Sequence, residues 1–232
     1  LDNPIESLQN TDIIFICVPT PVDDSGACDT SIVEEAINNL INNNIQSQIC
    51  IKSTVVPGTT KLLSDQYDIN INFVPEFLRE RCAYEDFVEN HDILAIGSSD
   101  DLSIDLIKQA HGHLPKNVEI MTSTEAEILK YYSNVYNAVK VIFANNFYEI
   151  SQALDANYDK ILNAYLKRDI KKNEYLGVND NLRGYAGVCL PKDTKAISHL
   201  MKDLDINLDL IHATDSDNSK LKKTVFEGMR LL

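Results

Sequence analysis

The chain has 232 residues, 44% hydrophobic and 24% charged, which is the balance of a globular protein with a buried core and excludes a disordered or fibrous chain. A formal net charge of -14 works against a nucleic-acid backbone, which is gripped through a basic stripe and counterion release, so no nucleic-acid partner is expected. No run of about eighteen apolar residues is present to span a bilayer, and no basic region precedes an apolar stretch, so the expectation is a soluble chain with no membrane partner.

"DIIFICVPTP" (12–21), "SQICIKSTVVPGTT" (47–60) and "ININFVPEF" (69–77) are short apolar runs that end in prolines or glycine, and they read as buried parallel strands. Between the first two, Ile32, Val33, Ala36, Ile37, Leu40 and Ile41 recur at helical spacing after an Asp29 or Thr30 cap. A fourth run, "DILAIGSS" (92–99), precedes the helical pattern "DDLSIDLIKQAHGHL", so roughly the first half is α/β. His111 and His113 have no metal-ligand partners at useful spacing and are expected at the surface.

From Thr122 the period changes. Ile128, Leu129, Tyr132, Val135, Tyr136, Val139, Ile142, Phe143, Phe147, Ile150 and Leu154 form one stripe without an internal Gly or Pro, which predicts a single long helix. Helices of this kind are commonly buried between domains or against a second copy of the chain. Further helical segments are predicted near 157–167, 192–203 and 208–231, so the second half is mostly α. The expected architecture is part of a Rossmann-like parallel sheet (residues 1–118) followed by an all-α domain with one long helix (119–232).

None of the eight glycines builds the G-x-G-x-x-G turn of a dinucleotide-binding sheet, although the strand pattern suggests such a domain. The expectation is that the first βαβ unit is missing and that the chain is an internal piece of something longer. The five cysteines (Cys17, Cys28, Cys50, Cys82, Cys189) are odd in number and lack a C-x-x-C, so neither a disulfide framework nor a metal site is expected, and a reducing cytoplasm fits.

Several residues carry possible chemistry. In "RGYAGVCLPKD", Cys189 and Asp193 lie four apart with Pro191 in the first turn of a helix, whose dipole and open amides favour a thiolate. Cys189 is either a small core residue or a nucleophile, and Gly184 and Gly187 would let backbone approach a ligand closely. In "VPEFLRE", Pro75 is expected to open a helix that puts Glu76 and Glu80 on one face, as first-turn acids or as general bases. Lys130 and Asn134 lie one turn apart on the long helix, where the lysine either snorkels to solvent or joins the amide in stabilising an oxyanion. Thr54, at a strand end, is either structural or able to hold a water.

In this order, "FICVPTP", "IKSTVVPGTT", "FVPEFLRERCAYEDF", "EAEILKYYSNVYNAVKVIFANNFYEI" and "GYAGVCLPKDTKAI" resemble the UDP-glucose/GDP-mannose dehydrogenase family. The resemblance implies a mid-sheet start within the family's NAD domain and an end in its central dimerisation domain. It implies oxidation of the C6 alcohol of a nucleotide sugar, UDP-glucose or related, to a carboxylate with two NAD+, in a homodimer. Cys189 matches the nucleophile that forms a thiohemiacetal and then a thioester. Lys130 and Asn134 match the oxyanion-stabilising pair, and Asp193 and Thr54 the water-holding pair. Glu80 and Glu76 match the acids of water activation and thioester hydrolysis. The backbone of Phe77, Leu78 and Arg79 matches a substrate contact, Thr20 a cofactor contact.

Two features depart from the family pattern. Ala186 and Val188 flank Gly187 where consecutive glycines are usual, and "KKNEYLGVNDNLR" gives no clear counterpart to an arginine that reaches across the dimer, leaving Lys171, Lys172 or Arg183 to substitute. Two other readings stand beside the family: a truncated, non-catalytic dimerisation module, and a relative of 3-hydroxyacid or 6-phosphogluconate dehydrogenases, against which the Cys189 motif counts.

Overall fold

The computed structural model describes residues 5–23, 26–167, 178–179, 183–205 and 209–221. Contacts divide the chain into two units, Leu1–Tyr131 and Tyr132–Leu232.

The first unit is built on a five-stranded sheet in the order β1 (Ile13–Ile16), β2 (Gln48–Ile51), β3 (Ile71–Phe73), β4 (Leu94–Gly97), β5 (Val118–Met121). Strands β1, β2 and β3 are parallel, connected through α1 (Ser31–Asn42) and α2 (Thr59–Tyr67). Strand residues alternate between faces, as the pleat requires. Ile16, Ile49, Ile51 and Phe73 pack with Val33 and Ile37 of α1 and Leu63 of α2, whereas Cys50, Leu94 and Ile96 pack with Ile104 and Ile107 of α4 (Asp101–His111). Both faces are therefore covered, which is why the strands read as continuous apolar runs.

Two strands depart from the sequence reading. β4 runs antiparallel to β3, paired at Phe73 and Gly97, and not parallel as expected. A parallel return needs a crossover that carries the chain back along the sheet. Here the connection is no shorter than the one between β2 and β3, but its 3-10 turn (Glu80–Cys82) and six-residue α3 (Ala83–Val88) add no residue to the core cluster on either face of the sheet, unlike α1 and α2. β5, parallel to β4, was not anticipated. It is short and its Val118 and Ile120 are exposed, so it carries no burial pattern to read.

His111 corrects another expectation, because it is buried in the first unit. Its ring lies 5.8 Å from Phe15, 5.9 Å from Phe87 and 6.0 Å from His91, and its Nδ1 is 2.8 Å from the Ile107 carbonyl. Ile104, Ile107 and His111 share one face of α4, a spacing legible in the sequence. His113 is exposed, as expected.

Helix α5 (Ser123–Ala153, 31 residues) starts at a reciprocal capping box. Thr122 N–H donates to Glu125 Oε2 at 2.8 Å, and Glu125 N–H to Thr122 Oγ1 at 3.3 Å. A Cβ on Gly97 would fall 2.8 Å from Ser123 Cα and 3.0 Å from Ala126 Cβ, so only glycine lets β4 and the start of α5 approach this closely.

The second unit comprises most of α5 with α6 (Tyr158–Leu166), α7 (Cys189–Asp203) and α8 (Leu210–Lys220). The expected helical residues 222–231 lie outside the described residues. Ala138, Val141 and Ile142 of α5 pack with Tyr185, and Ala144 and Tyr148 pack with Tyr158 and Val178. The apolar stripe read from the sequence splits. Val135 and Ile142 are buried, but Tyr132, Tyr136, Phe143, Phe147, Ile150 and Leu154 are 46–73% exposed along a second face. Small residues at 138 and 144 complete the buried face, which a count of large apolar residues overlooks.

Candidate active site

In the first unit the ends of β1 and β2 are stitched together. Lys52 and Ser53 N–H both donate to the Ile16 carbonyl (2.9 and 3.1 Å), and Ser53 Oγ donates to the Val18 carbonyl at 2.7 Å. Thr20 is 7% exposed and donates its hydroxyl to the Thr54 carbonyl at 2.7 Å. Thr20 and Thr54 thus stand together beyond the carboxyl ends of two parallel strands, where open α/β sheets take their ligands. These hydroxyls and carbonyls fit the polar groups of a nicotinamide nucleotide; the glycine turn for its pyrophosphate is not in this sequence.

The loop after β2 is locked by a residue the sequence reading passed over. Glu127 of α5 is fully buried and takes Gly58 N–H (2.6 Å), Thr60 N–H (2.8 Å) and the Thr60 hydroxyl (2.6 Å). It caps the N-terminus of α2, where a carboxylate complements the open amides and the dipole. Burial nonetheless pushes the Glu127 carboxyl up, against the lowering effect of those hydrogen bonds.

Pro75 does not open a helix. Residues 74–79 leave β3 as irregular chain, and the first turn begins at Glu80, so Glu76 and Glu80 do not share a helix face. Val74 is bonded to β2, its N–H 2.9 Å from the Ile51 carbonyl, which carries the chain on as a strand extension. Glu76 is held from two sides. Lys52 Nζ lies 2.9 Å from its Oε2, and Lys130 Nζ donates to its backbone carbonyl at 2.5 Å while standing 5.7 Å from the Phe77 ring. Lys130 is therefore turned onto this segment and does not snorkel to solvent. Arg79 clasps Asp86 through Nη2–Oδ1 (2.7 Å) and Nε–Oδ2 (2.9 Å), and these hydrogen bonds hold the Asp86 carboxyl below its usual range. Leu78 is half-buried, and Glu80 is exposed.

In the second unit Cys189 is the first residue of α7 and is exposed. It is not the core cysteine. Cys50 fills that role, fully buried and with its thiol pushed up to about 12 by desolvation. None of the five cysteines forms a disulfide. The turn before Cys189 needs its glycines, since Gly184 and Gly187 have φ of +65° and +83°. Asn218 of α8 clasps this turn, accepting from Tyr185 N–H at 2.8 Å and donating to the Tyr185 carbonyl at 3.1 Å. Nothing in the sequence spacing marked Asn218, because the contact joins residues 33 apart.

Asp193, one turn after Cys189, is 1% exposed and uses both oxygens. Asn134 Nδ2 donates to Oδ2 at 2.5 Å, and Lys192 Nζ lies 2.5 Å from Oδ1. Arg183 is engaged within the unit, donating to Asn145 Oδ1 at 2.8 Å, pairing with Glu149 and lying 5.1 Å from the Tyr148 ring. Lys171 and Lys172 lie outside the described residues. Among the described residues no group of three or more His, Cys, Asp or Glu could hold a metal ion, and no helix is long and apolar enough to cross a membrane.

The sequence matches a class of known proteins. The NAD binding domain of the UDP-glucose/GDP-mannose dehydrogenase family matches residues 3–114, and the central domain of the same family matches residues 124–220. The chain belongs to the UDP-glucose/GDP-mannose dehydrogenase family, a family of NAD-dependent nucleotide-sugar dehydrogenases. It is 31% identical to a UDP-glucose 6-dehydrogenase of Rickettsia bellii over 93% of this chain and 51% of that protein. It is 26% identical to a GDP-mannose 6-dehydrogenase of Pseudomonas syringae pv. tomato over 96% of this chain and 54% of that one. A UDP-glucose dehydrogenase structure from the hyperthermophilic archaeon Pyrobaculum islandicum superposes with a TM-score of 0.86 at 28% identity, covering 95% of this chain and 53% of that one. The chain spans about half the length of the curated relatives it matches.

Proposed function

We propose that this chain is the portion of a nucleotide-sugar 6-dehydrogenase that carries its covalent chemistry, acting on UDP-glucose or a related sugar. The observation that carries the reading is Cys189: an exposed thiol on the first residue of α7, behind a turn of two positive-φ glycines and one helical turn before a buried, doubly held aspartate.

The net change is R–CH2OH + H2O + 2 NAD+ → R–COO⁻ + 2 NADH + 3 H+, and NAD, when bound, supplies the acceptor for both hydrides. The residues of the chain do the rest. Cys189 adds its sulfur to the C6 aldehyde carbon while the oxygen gains a proton, giving the thiohemiacetal, and loss of a hydride and a proton from that adduct leaves a thioester. Lys130 and Asn134 donate to the oxygen as charge develops on it. Asp193 and Thr54 hold the water, and Glu76 and Glu80 serve its activation and the release of the uronate. Phe77, Leu78 and Arg79 present backbone to the sugar nucleotide, Gly184 and Gly187 let the turn approach it, and Thr20 and Thr54 face the cofactor.

The same reading has the chain in a homodimer in the cytoplasm. What supports the dimer is the exposed α5 face of Tyr132, Tyr136, Phe143, Phe147 and Ile150, continued by Leu154 just past the helix end, an apolar stripe at helical spacing that a second copy would cover. What supports the compartment is five cysteines without a disulfide. The test uses the full-length parent polypeptide, supplied with NAD+ and either UDP-glucose or GDP-mannose. NADH formed in a 2:1 ratio to uronate is the expected result. Absence of uronate with either sugar leaves a non-catalytic dimerisation module as the better account.

A further inference from the structure

Glu76 sits on a segment with no helix or strand of its own, so its carboxylate needs something else to give it direction. That something is Lys52, the first residue after β2. The backbone of Lys52 is fixed by its N–H bond to the Ile16 carbonyl at 2.9 Å. Its ammonium stands 2.9 Å from Glu76 Oε2, and the two side chains are only 15% and 27% exposed. The same ammonium lies 5.7 Å from the Phe15 ring centroid, and that ring packs nearly perpendicular to His111 with the two centroids 5.8 Å apart. Lys52 thus spans from an apolar ring to the carboxylate, and most of its reach into water is blocked. The Lys130 bond to the Glu76 carbonyl fixes the backbone of the same residue independently.

We propose that Lys52 is a positioning residue, which holds the Glu76 carboxylate in one orientation for the hydrolytic half of the reaction. The inference rests on the reading above, in which Glu76 serves release of the acyl group from Cys189. In that step the water oxygen bonds to the acyl carbon as one water proton passes to a carboxylate. The C–S bond then breaks with its electron pair on sulfur, and the second water proton leaves from the new carboxyl group. A base on irregular chain samples several rotamers, and a misplacement of about 1 Å costs on the order of 100-fold in rate. An exposed ion pair would contribute little. This one is largely buried, so removing the cation leaves a carboxylate without its counter-charge in a place water reaches poorly.

The experiment compares K52M, K52R and E76Q with the wild type in the full-length parent polypeptide, reading steady-state turnover and the intact mass after a single turnover. K52M is expected to lose turnover by on the order of 10- to 100-fold with little change in KM, since the residue acts on geometry and not on substrate binding. It should also accumulate the acyl adduct on Cys189, because the oxidation steps precede the step that is slowed. K52R, which restores the cation, should recover most of the rate and abolish the accumulation. A merely structural role would instead give a K52M protein that lowers every step, shows no adduct and is not rescued by K52R, and that result overturns the proposal. So does K52M turning over like the wild type while E76Q is impaired. An unimpaired E76Q sinks the assignment of Glu76, and the inference with it, whatever K52M does.

Discussion

Asn134 donates its side-chain amide to Asp193 Oδ2 at 2.5 Å, and Asp193 accepts from the Lys192 ammonium through its other oxygen. The carboxylate is 1% exposed, so each of these donors compensates a charge that is largely withdrawn from bulk solvent. N134A removes one of them. It is expected to destabilise the protein by about 1–3 kcal/mol, the cost of leaving a buried acceptor short of a partner. It should also lower turnover of the full-length enzyme more than N134S, which keeps a donor. Urea denaturation and steady-state kinetics check both, and a fully stable, fully active N134A would remove the residue from the site.

Replacing Cys189 separates chemistry from folding. Because Cys189 is exposed, C189A should leave the stability within about 0.5 kcal/mol of the wild type while uronate formation disappears. C189S should trap a slowly hydrolysed ester adduct, since a hydroxyl is a poorer nucleophile and an ester a poorer leaving system than a thioester. Intact-mass measurement reads the adduct. Undiminished turnover of C189A would sink the nucleophile.

Acid should weaken the first unit through His111. Burial holds its imidazole below the ordinary histidine value, with Lys52 and His91 adding in the same direction and the Ile107 carbonyl and Glu76 opposing. The unfolded chain therefore takes up the proton first as pH falls. The contribution of His111 to stability is present above the unfolded value of about 6.5 and is lost as pH falls through the folded one. H111L should flatten the decline in stability below about pH 6.5 measured by urea melts across pH. A decline as steep as that of the wild type would assign it to other groups.

The exposed face of α5 gives a test of assembly. A double change of Phe143 and Phe147 to Asp, on rings 4.8 Å apart and 57% and 46% exposed, puts charge in the centre of the apolar stripe without touching the buried face. Sedimentation of the wild type should show a dimer and of the variant a monomer with unchanged helicity. A wild type that sediments as a monomer would mean the stripe serves another partner.

The 232-residue chain by itself should bind NAD+ with a Kd above the millimolar range. Pyrophosphate capture depends on a glycine turn at a helix N-terminus after the first strand, and no such turn can be assembled from these glycines. Calorimetric titration decides it, and submillimolar affinity would mean that another part of the sheet grips the cofactor.

The sequence by itself determined the parts whose signal is local or periodic. The apolar runs around Ile14, Ile49 and Ile71 became strands, the uninterrupted pattern from Ser123 became one helix of 31 residues, and Cys189 opened α7 as its Pro191 and Asp193 implied. Each of these is written within one or two turns of chain. What only the tertiary structure decided depends on partners far along the chain. The direction of β4 follows from how its connection returns to the sheet, and the irregular course of residues 74–79 follows from the Val74 bond to β2 and the grip of Lys52 and Lys130. Glu127 looks like any helix acid until Gly58 and Thr60, nearly 70 residues earlier, are seen to need its oxygens. Which face of α5 is buried was likewise undecidable from hydrophobicity, because both faces are apolar, and only the small residues Ala138 and Ala144 allow close packing on one of them.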